Sequence, residues 1–110
     1  MAPLFKKSSI THEDFEKFVP RFYESMGILL LEKNRMYGSA SMDMGTVGIF
    51  VHLTDKMKRL ETLLNLHAEG KGETASFEGI EDTLKDIIGY ATLGSAILSE
   101  AEIIAARSQE

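Results

Sequence analysis

The feature that most constrains this chain is an apolar stripe near its C-terminus with helical spacing and few interruptions. Ile80, Leu84, Ile87, Ile88, Ala91, Ser95, Leu98 and Ala101 fall on one face of a 3.6-residue period. The spacing predicts a helix from about residue 77 to about residue 106. Thirty residues at 1.5 Å each make a rod of roughly 45 Å. A compact chain of this length has a radius of gyration near 13 Å, hence a diameter of about 34 Å. The helix should outrun a one-chain core. Ile97, Leu98, Ile103 and Ile104 at its far end then require a partner, and a second copy is the simplest one. Small residues in its middle, Gly89, Ala91, Gly94, Ser95 and Ala96, admit close approach of another helix. Each glycine otherwise costs a helix interior about 1 kcal/mol relative to alanine.

Two further helical segments precede it. Thr11 fits an N-cap, with Glu13 and Asp14 in the first turn where the helix dipole favours anions. Phe15, Phe18, Val19 and Phe22 follow at helical spacing. Pro20 either kinks this helix or opens a new one, and the pattern continues through Met26, Leu29, Leu30 and the stem of Lys33 to a stop at Gly38. Residues 38–45 read as a loop. A second helix begins near Thr46, with an apolar stripe of Val47, Phe50, Val51, Thr54, Met57, Leu60 or Glu61, and Leu64. It fails between His67 and Gly70. Residues 70–76 read as a flexible connection, with Thr74 or Ser76 available as a cap.

The expected architecture is all-α: a helical bundle of two long antiparallel helices plus a kinked N-terminal helix, oligomeric, in a single domain spanning 1–110. Residues 1–10 are expected to form a flexible tail. With 110 residues, 44% of them apolar and 26% charged, the chain has the composition of a globular domain. The absence of cysteine excludes disulfides, Cys-ligated zinc and a cysteine nucleophile. Twelve Lys and Arg against 17 Asp and Glu give a net charge of −5, which argues against a nucleic-acid partner but not against a small anion. No run of apolar residues reaches the roughly 20 needed to cross a bilayer, and Met1 to Lys7 lacks the apolar region of a secretory signal. The expectation is a cytoplasmic protein with no membrane partner.

Three constellations carry possible chemistry. His52, Asp55, Lys56 and Arg59 share one helix face at i, i+3, i+4 and i+7. Glu78, Glu81, Asp82, Lys85 and Asp86 do the same on the next helix. In an antiparallel hairpin Asp86 would come near Arg59, and Asp82 near Leu63 or Arg59. Facing stripes of opposite charge are commonly solvated ion pairs worth about 0–1 kcal/mol. Glu78, Glu81, Asp82 and Asp86 could alternatively hold Mg²⁺, which prefers carboxylate and phosphate oxygens. At the end of the first helix Lys33 and Tyr37 are i, i+4 neighbours, a cation beside a ring able to stack on a base. Cations in a last turn also simply complement the dipole. His12 and His67 read as surface residues near helix ends, poor candidates for a ligand.

Three pieces taken together carry a family resemblance: Lys33-Asn-Arg-Met-Tyr-Gly38, then Gly48-Ile-Phe-Val-His-Leu-Thr-Asp-Lys-Met-Lys-Arg-Leu60, then Glu78-Gly-Ile-Glu-Asp-Thr-Leu-Lys-Asp-Ile-Ile-Gly-Tyr-Ala91. The succession, over about residues 31–98, resembles the nucleotide modification associated domain family of phages and bacteria, which is similar to the all-α MazG-type NTP pyrophosphatases. The resemblance implies a helical oligomer with a nucleotide site between helices. Matching positions are Lys33, Tyr37, His52, Asp55, Lys56, Arg59, Glu78, Asp82 and Asp86. MazG-type enzymes pair a Glu-x-x-Glu helix with a second acidic motif. Here the helix before the acidic one offers only Asp55 and Glu61, so half of a two-metal site is missing. The first expectation is therefore a phage-encoded protein of the host cytoplasm that captures a nucleotide, or a nucleotide-derived immune signal, without a catalytic residue or cofactor. The alternatives are a Mg²⁺-dependent nucleotide pyrophosphohydrolase and a structural helical adaptor.

Overall fold

The computed structural model describes residues 7–37, 42–70 and 73–109, with backbone alone at 37 and 73–77. Every element of regular structure among them is helical: α1 (His12–Tyr37), α2 (Gly45–Ala68), α3 (Glu73–Leu98) and α4 (Glu100–Arg107). The chain divides into two units, Met1–Gly38 and Ser39–Glu110.

In the first unit, α1 opens as the sequence predicts. The Asp14 amide donates to Thr11 Oγ1 at 3.1 Å, and the Thr11 amide donates to Asp14 Oδ2 at 2.9 Å. This reciprocal pair satisfies two amides that the first turn leaves without carbonyl partners. The Thr11 bonds hold the Asp14 carboxyl below the ordinary carboxylate value. A carboxyl depressed on folding contributes stability above its unfolded pKa and loses it as pH falls through the folded one. Relative to the intrinsic rate at each pH, amide exchange in the first turn of α1 should therefore accelerate as the solution is acidified below about pH 4. An Asp14→Asn variant should show the faster exchange already at neutral pH. Unchanged exchange in that variant would remove the carboxylate from the account.

Pro20 lies inside α1, which runs through it as one helix, so no new helix opens there. The proline lacks the amide that would bond the Glu16 carbonyl, and one open carbonyl at that turn is compatible with continuation. Phe18 and Phe22, one turn apart, stack at 5.1 Å, and Phe22 meets Tyr23 edge-on at 5.6 Å. The expected tail lies mostly outside the described residues.

In the second unit, α2 follows a short 3₁₀ turn at 42–44 and starts one residue before the expected Thr46. It ends where expected. The Glu69 amide donates to the Asn65 carbonyl at 3.0 Å, the Gly70 amide to the His67 carbonyl at 3.1 Å, and Gly70 has φ +73°. That left-handed conformation needs a residue without Cβ, and it turns the chain out of the helix. Residues 71–72 of the expected connection lie outside the described residues. α3 begins at Glu73, so Thr74 and Ser76 fall within its first turn and neither precedes it as a cap.

α2 and α3 pack as an antiparallel pair, and their register is regular. Ile49 lies against Gly94, His52 against Tyr90, Lys56 against Asp86 and Leu63 against Gly79. Numbers rise along α2 while they fall along α3, one rung every turn or two. Two helix glycines serve this seam: a Cβ at Gly94 would lie 3.2 Å from Ile49 Cγ2, and one at Gly79 would lie 3.2 Å from Leu63 Cδ1. Gly94 therefore admits a helix of its own chain. Thr83 is enclosed in the seam, its hydroxyl donating to the Gly79 carbonyl at 2.6 Å. That bond to the preceding turn lets a polar side chain be buried without loss.

The expected faces hold in part. Of the α2 stripe, Thr54, Leu60 and Leu64 are half-buried while Val47, Phe50, Val51 and Met57 are exposed; on α3, Ile80 is buried and Ile87 and Ile88 half-buried, while Leu84 and Leu98 are exposed. The expected unbroken third helix also fails, because it stops at Leu98. Ser99 leaves the helical region with ψ 13°, and its amide is shared between the Ser95 and Ala96 carbonyls at 3.0 and 3.1 Å. α4 then departs at 66°. Serine has little helix preference of its own, and a tightened last turn is a common way for a helix to close. Among the described residues no single helix is long and apolar enough to cross a membrane.

Candidate ligand-binding site

The two middle rungs of the hairpin hold the chemistry. The rings of His52 and Tyr90 lie nearly parallel, 9° apart in plane and 4.8 Å between centroids. One turn away on both helices, Lys56 Nζ meets Asp86 Oδ2 at 3.0 Å, with both side chains about three-quarters buried. The i, i+4 steps His52 to Lys56 and Tyr90 to Asp86 fix this adjacency, since residues four apart lie on one helix face. Asp55 and Arg59 flank the pair on α2 and are exposed.

Asp86 thus meets Lys56, where the sequence pattern points to Arg59. The reason is rotation: Lys56 lies nearest the centre of the α2 face that meets α3, and Arg59 falls beside it. Tyr90 is the residue that the charge pattern passes over. Its signal is present, because it stands four beyond Asp86 and eight beyond Asp82 on the same line of α3.

Of the four candidate metal-ligating acids, Glu78, Asp82 and Asp86 follow one line of α3 at i, i+4 and i+8, and Glu81 lies off it. At about 100° per residue, Glu81 lies roughly 140° around α3 from Asp86. Glu81 accepts from Lys85 at 3.2 Å on the exposed side, and Asp86 is engaged in the seam. Glu78 and Asp82 are exposed. Among the described residues no three His, Asp or Glu side chains gather into a group that could hold a metal ion. Lys33, half-exposed, and Tyr37, the last residue of α1, belong to the first unit. His12 lies on the surface of α1 as expected, paired with Glu16 at 2.8 Å; His67 does not, because it is enclosed at the last turn of α2 and left 4% exposed.

Chemically, the face offers an aromatic stack with a lysine beside it and an arginine one turn further on. A planar heterocycle can extend the stack, and the guanidinium can grip a phosphate with its two-pronged donor set. No protein-family model, curated protein or solved structure matches this chain.

Proposed function

We propose that this protein captures a nucleotide without turning it over, and that it does so as a homo-oligomer. The observation that carries the reading is the parallel stack of His52 on Tyr90 with Lys56 a turn away. Stacking of a base on an aromatic ring is worth about 1–3 kcal/mol and tolerates any base, because every base has a π-face. Lys56 and Arg59 supply positive charge at the reach of a phosphate. Lys33 and Tyr37, in the first unit, are candidates from the sequence alone. The resemblance of the three sequence pieces to nucleotide modification associated proteins points the same way. A phage-encoded chain with this property would withhold a nucleotide signal from host defence.

Capture is favoured over hydrolysis by the placement of the acids. Glu81 and Asp86 are each engaged by a lysine, and among the described residues no three acids gather into a group that could hold a Mg²⁺–phosphate complex. Titration calorimetry with a panel of linear and cyclic nucleotides, with and without Mg²⁺, tests the reading. A saturable heat with at least one of them is expected, and the intact nucleotide should be recovered after heat-denaturing the protein. Absence of binding to every member at high micromolar concentration would overturn it. Recovery of a cleaved product would replace capture with hydrolysis.

A further inference from the structure

The surface of α2 that faces away from α3 carries a row of exposed apolar side chains. Val47 is 78% exposed, Phe50 69%, Met57 55% and Val51 51%. At about 100° per residue these four, with Thr54 between them, form a single stripe on the side opposite Ile49, His52, Lys56 and Leu63. A stripe so placed has no further duty within the hairpin. Together the four side chains leave on the order of 400 Å² of apolar surface in water, the size at which a patch marks an interaction site.

We propose that this stripe seats a second copy of the same chain, α2 lying antiparallel on α2 across a two-fold axis between Phe50 and Val51. The inference goes beyond the proposed nucleotide site and does not depend on it. Two observations favour a second copy as the occupant. The first is area. Two such stripes face to face bury on the order of 800 Å² of apolar surface. At the roughly 60% apolar share of interfaces, that corresponds to a total near 1,300 Å², within the range of about 1,200–2,000 Å² for stable pairs.

The second is charge. Asp43 stands exposed just before α2, at one end of the stripe, and Lys58 stands exposed at the other end. With the axis between Phe50 and Val51, antiparallel pairing sets each Lys58 opposite the partner's Asp43, and Glu61 falls one turn beyond it, so opposite signs meet at both ends of an apolar centre. A parallel arrangement would set like against like. A two-fold contact of this kind uses one patch twice and closes on itself. It also moves the interface from α3, where the sequence places it, to α2. The seam side of the hairpin, with His52, Lys56 and Tyr90, lies outside the contact.

Analytical ultracentrifugation of the full chain at high micromolar concentration reads the outcome. The wild type should sediment with the mass of two chains or a multiple of two. Phe50→Glu should reduce that mass at least twofold while far-ultraviolet circular dichroism shows the helices intact. Because this variant could also unfold, the end charges provide an independent arm. Asp43→Lys and Lys58→Glu should each raise the dimer dissociation constant about tenfold, and the double variant should recover most of the loss. A wild-type particle of one chain mass would overturn the proposal. So would a folded Phe50→Glu variant of wild-type mass, or a double variant no tighter than the singles.

Discussion

Replacing Gly94 with leucine should lower the unfolding free energy of the α2–α3 hairpin by about 2 kcal/mol, the middle of the range for overpacking a close contact. The cause is local. A Cβ at this position already lies 3.2 Å from Ile49 Cγ2, and Ile49 is 5% exposed. The methyl it meets branches from Ile49 Cβ, and β-branched side chains in helices have essentially one rotamer, so it has nowhere to swing. Leucine would have to part the helices. Gly79 makes the contrast that tests this reasoning. Its added Cβ meets Leu63 Cδ1, also at 3.2 Å, but that atom is the far end of a flexible side chain. Gly79→Ala should therefore keep most of the gain of about 1 kcal/mol that alanine brings to a helix interior. Urea denaturation followed by circular dichroism separates the two. Equal effects at 79 and 94 would mean that the stiffness of the facing side chain is not what matters.

The second large effect concerns Lys56. Lys56→Glu sets a carboxylate against Asp86 where an ion pair now stands at 3.0 Å. Loss of a pair this enclosed, followed by like-charge repulsion, should destabilise the hairpin by about 2–3 kcal/mol, less than a fully buried pair would lose because both side chains reach water. Exchanging the two, as Lys56→Glu with Asp86→Lys, should restore most of that stability. Nucleotide binding should behave differently. The exchange moves the positive charge from beside His52 to beside Tyr90, so affinity should fall at least tenfold in both the single and the double variant. Stability that recovers without affinity would separate the structural role of the pair from its part in the site. Full recovery of affinity in the exchange would show that only the presence of a cation counts.

Much of the fold is legible in the residues because local signals there are unopposed. Thr11 and Asp14 cap α1, Gly70 stops α2, and the turn between α2 and α3 makes the pair antiparallel. What the sequence obscures is rotation. Its pattern invites Val47, Phe50 and Val51 to face inward, yet the hairpin closes on Ile49, His52, Lys56 and Leu63, and those three stay in water. Packing distance explains part of this. Gly79 and Gly94 let the backbones approach and leave room for Leu63 and Ile49 in the seam. The same rotation decides the site: it engages Lys56 with Asp86, leaves Arg59 beside them, and brings in Tyr90 as the ring partner of His52. The end of α3 was hidden for another reason. Ser95, Ala96 and Ile97 read as continuous helix, and only the backbone of Ser99 shows the break.

The central claim is that the His52–Tyr90 face of the hairpin receives the base and that Lys56 and Arg59 receive the phosphate. Two-dimensional NMR of isotope-labelled protein, titrated with the nucleotide that gives the largest calorimetric heat, tests it most directly. The account predicts ring-current shifts concentrated on His52 and Tyr90 and matching shifts at Lys56 and Arg59, with α4 unmoved. Shifts confined to α1 or α4, with the resonances of His52 and Tyr90 unchanged at saturation, would contradict it.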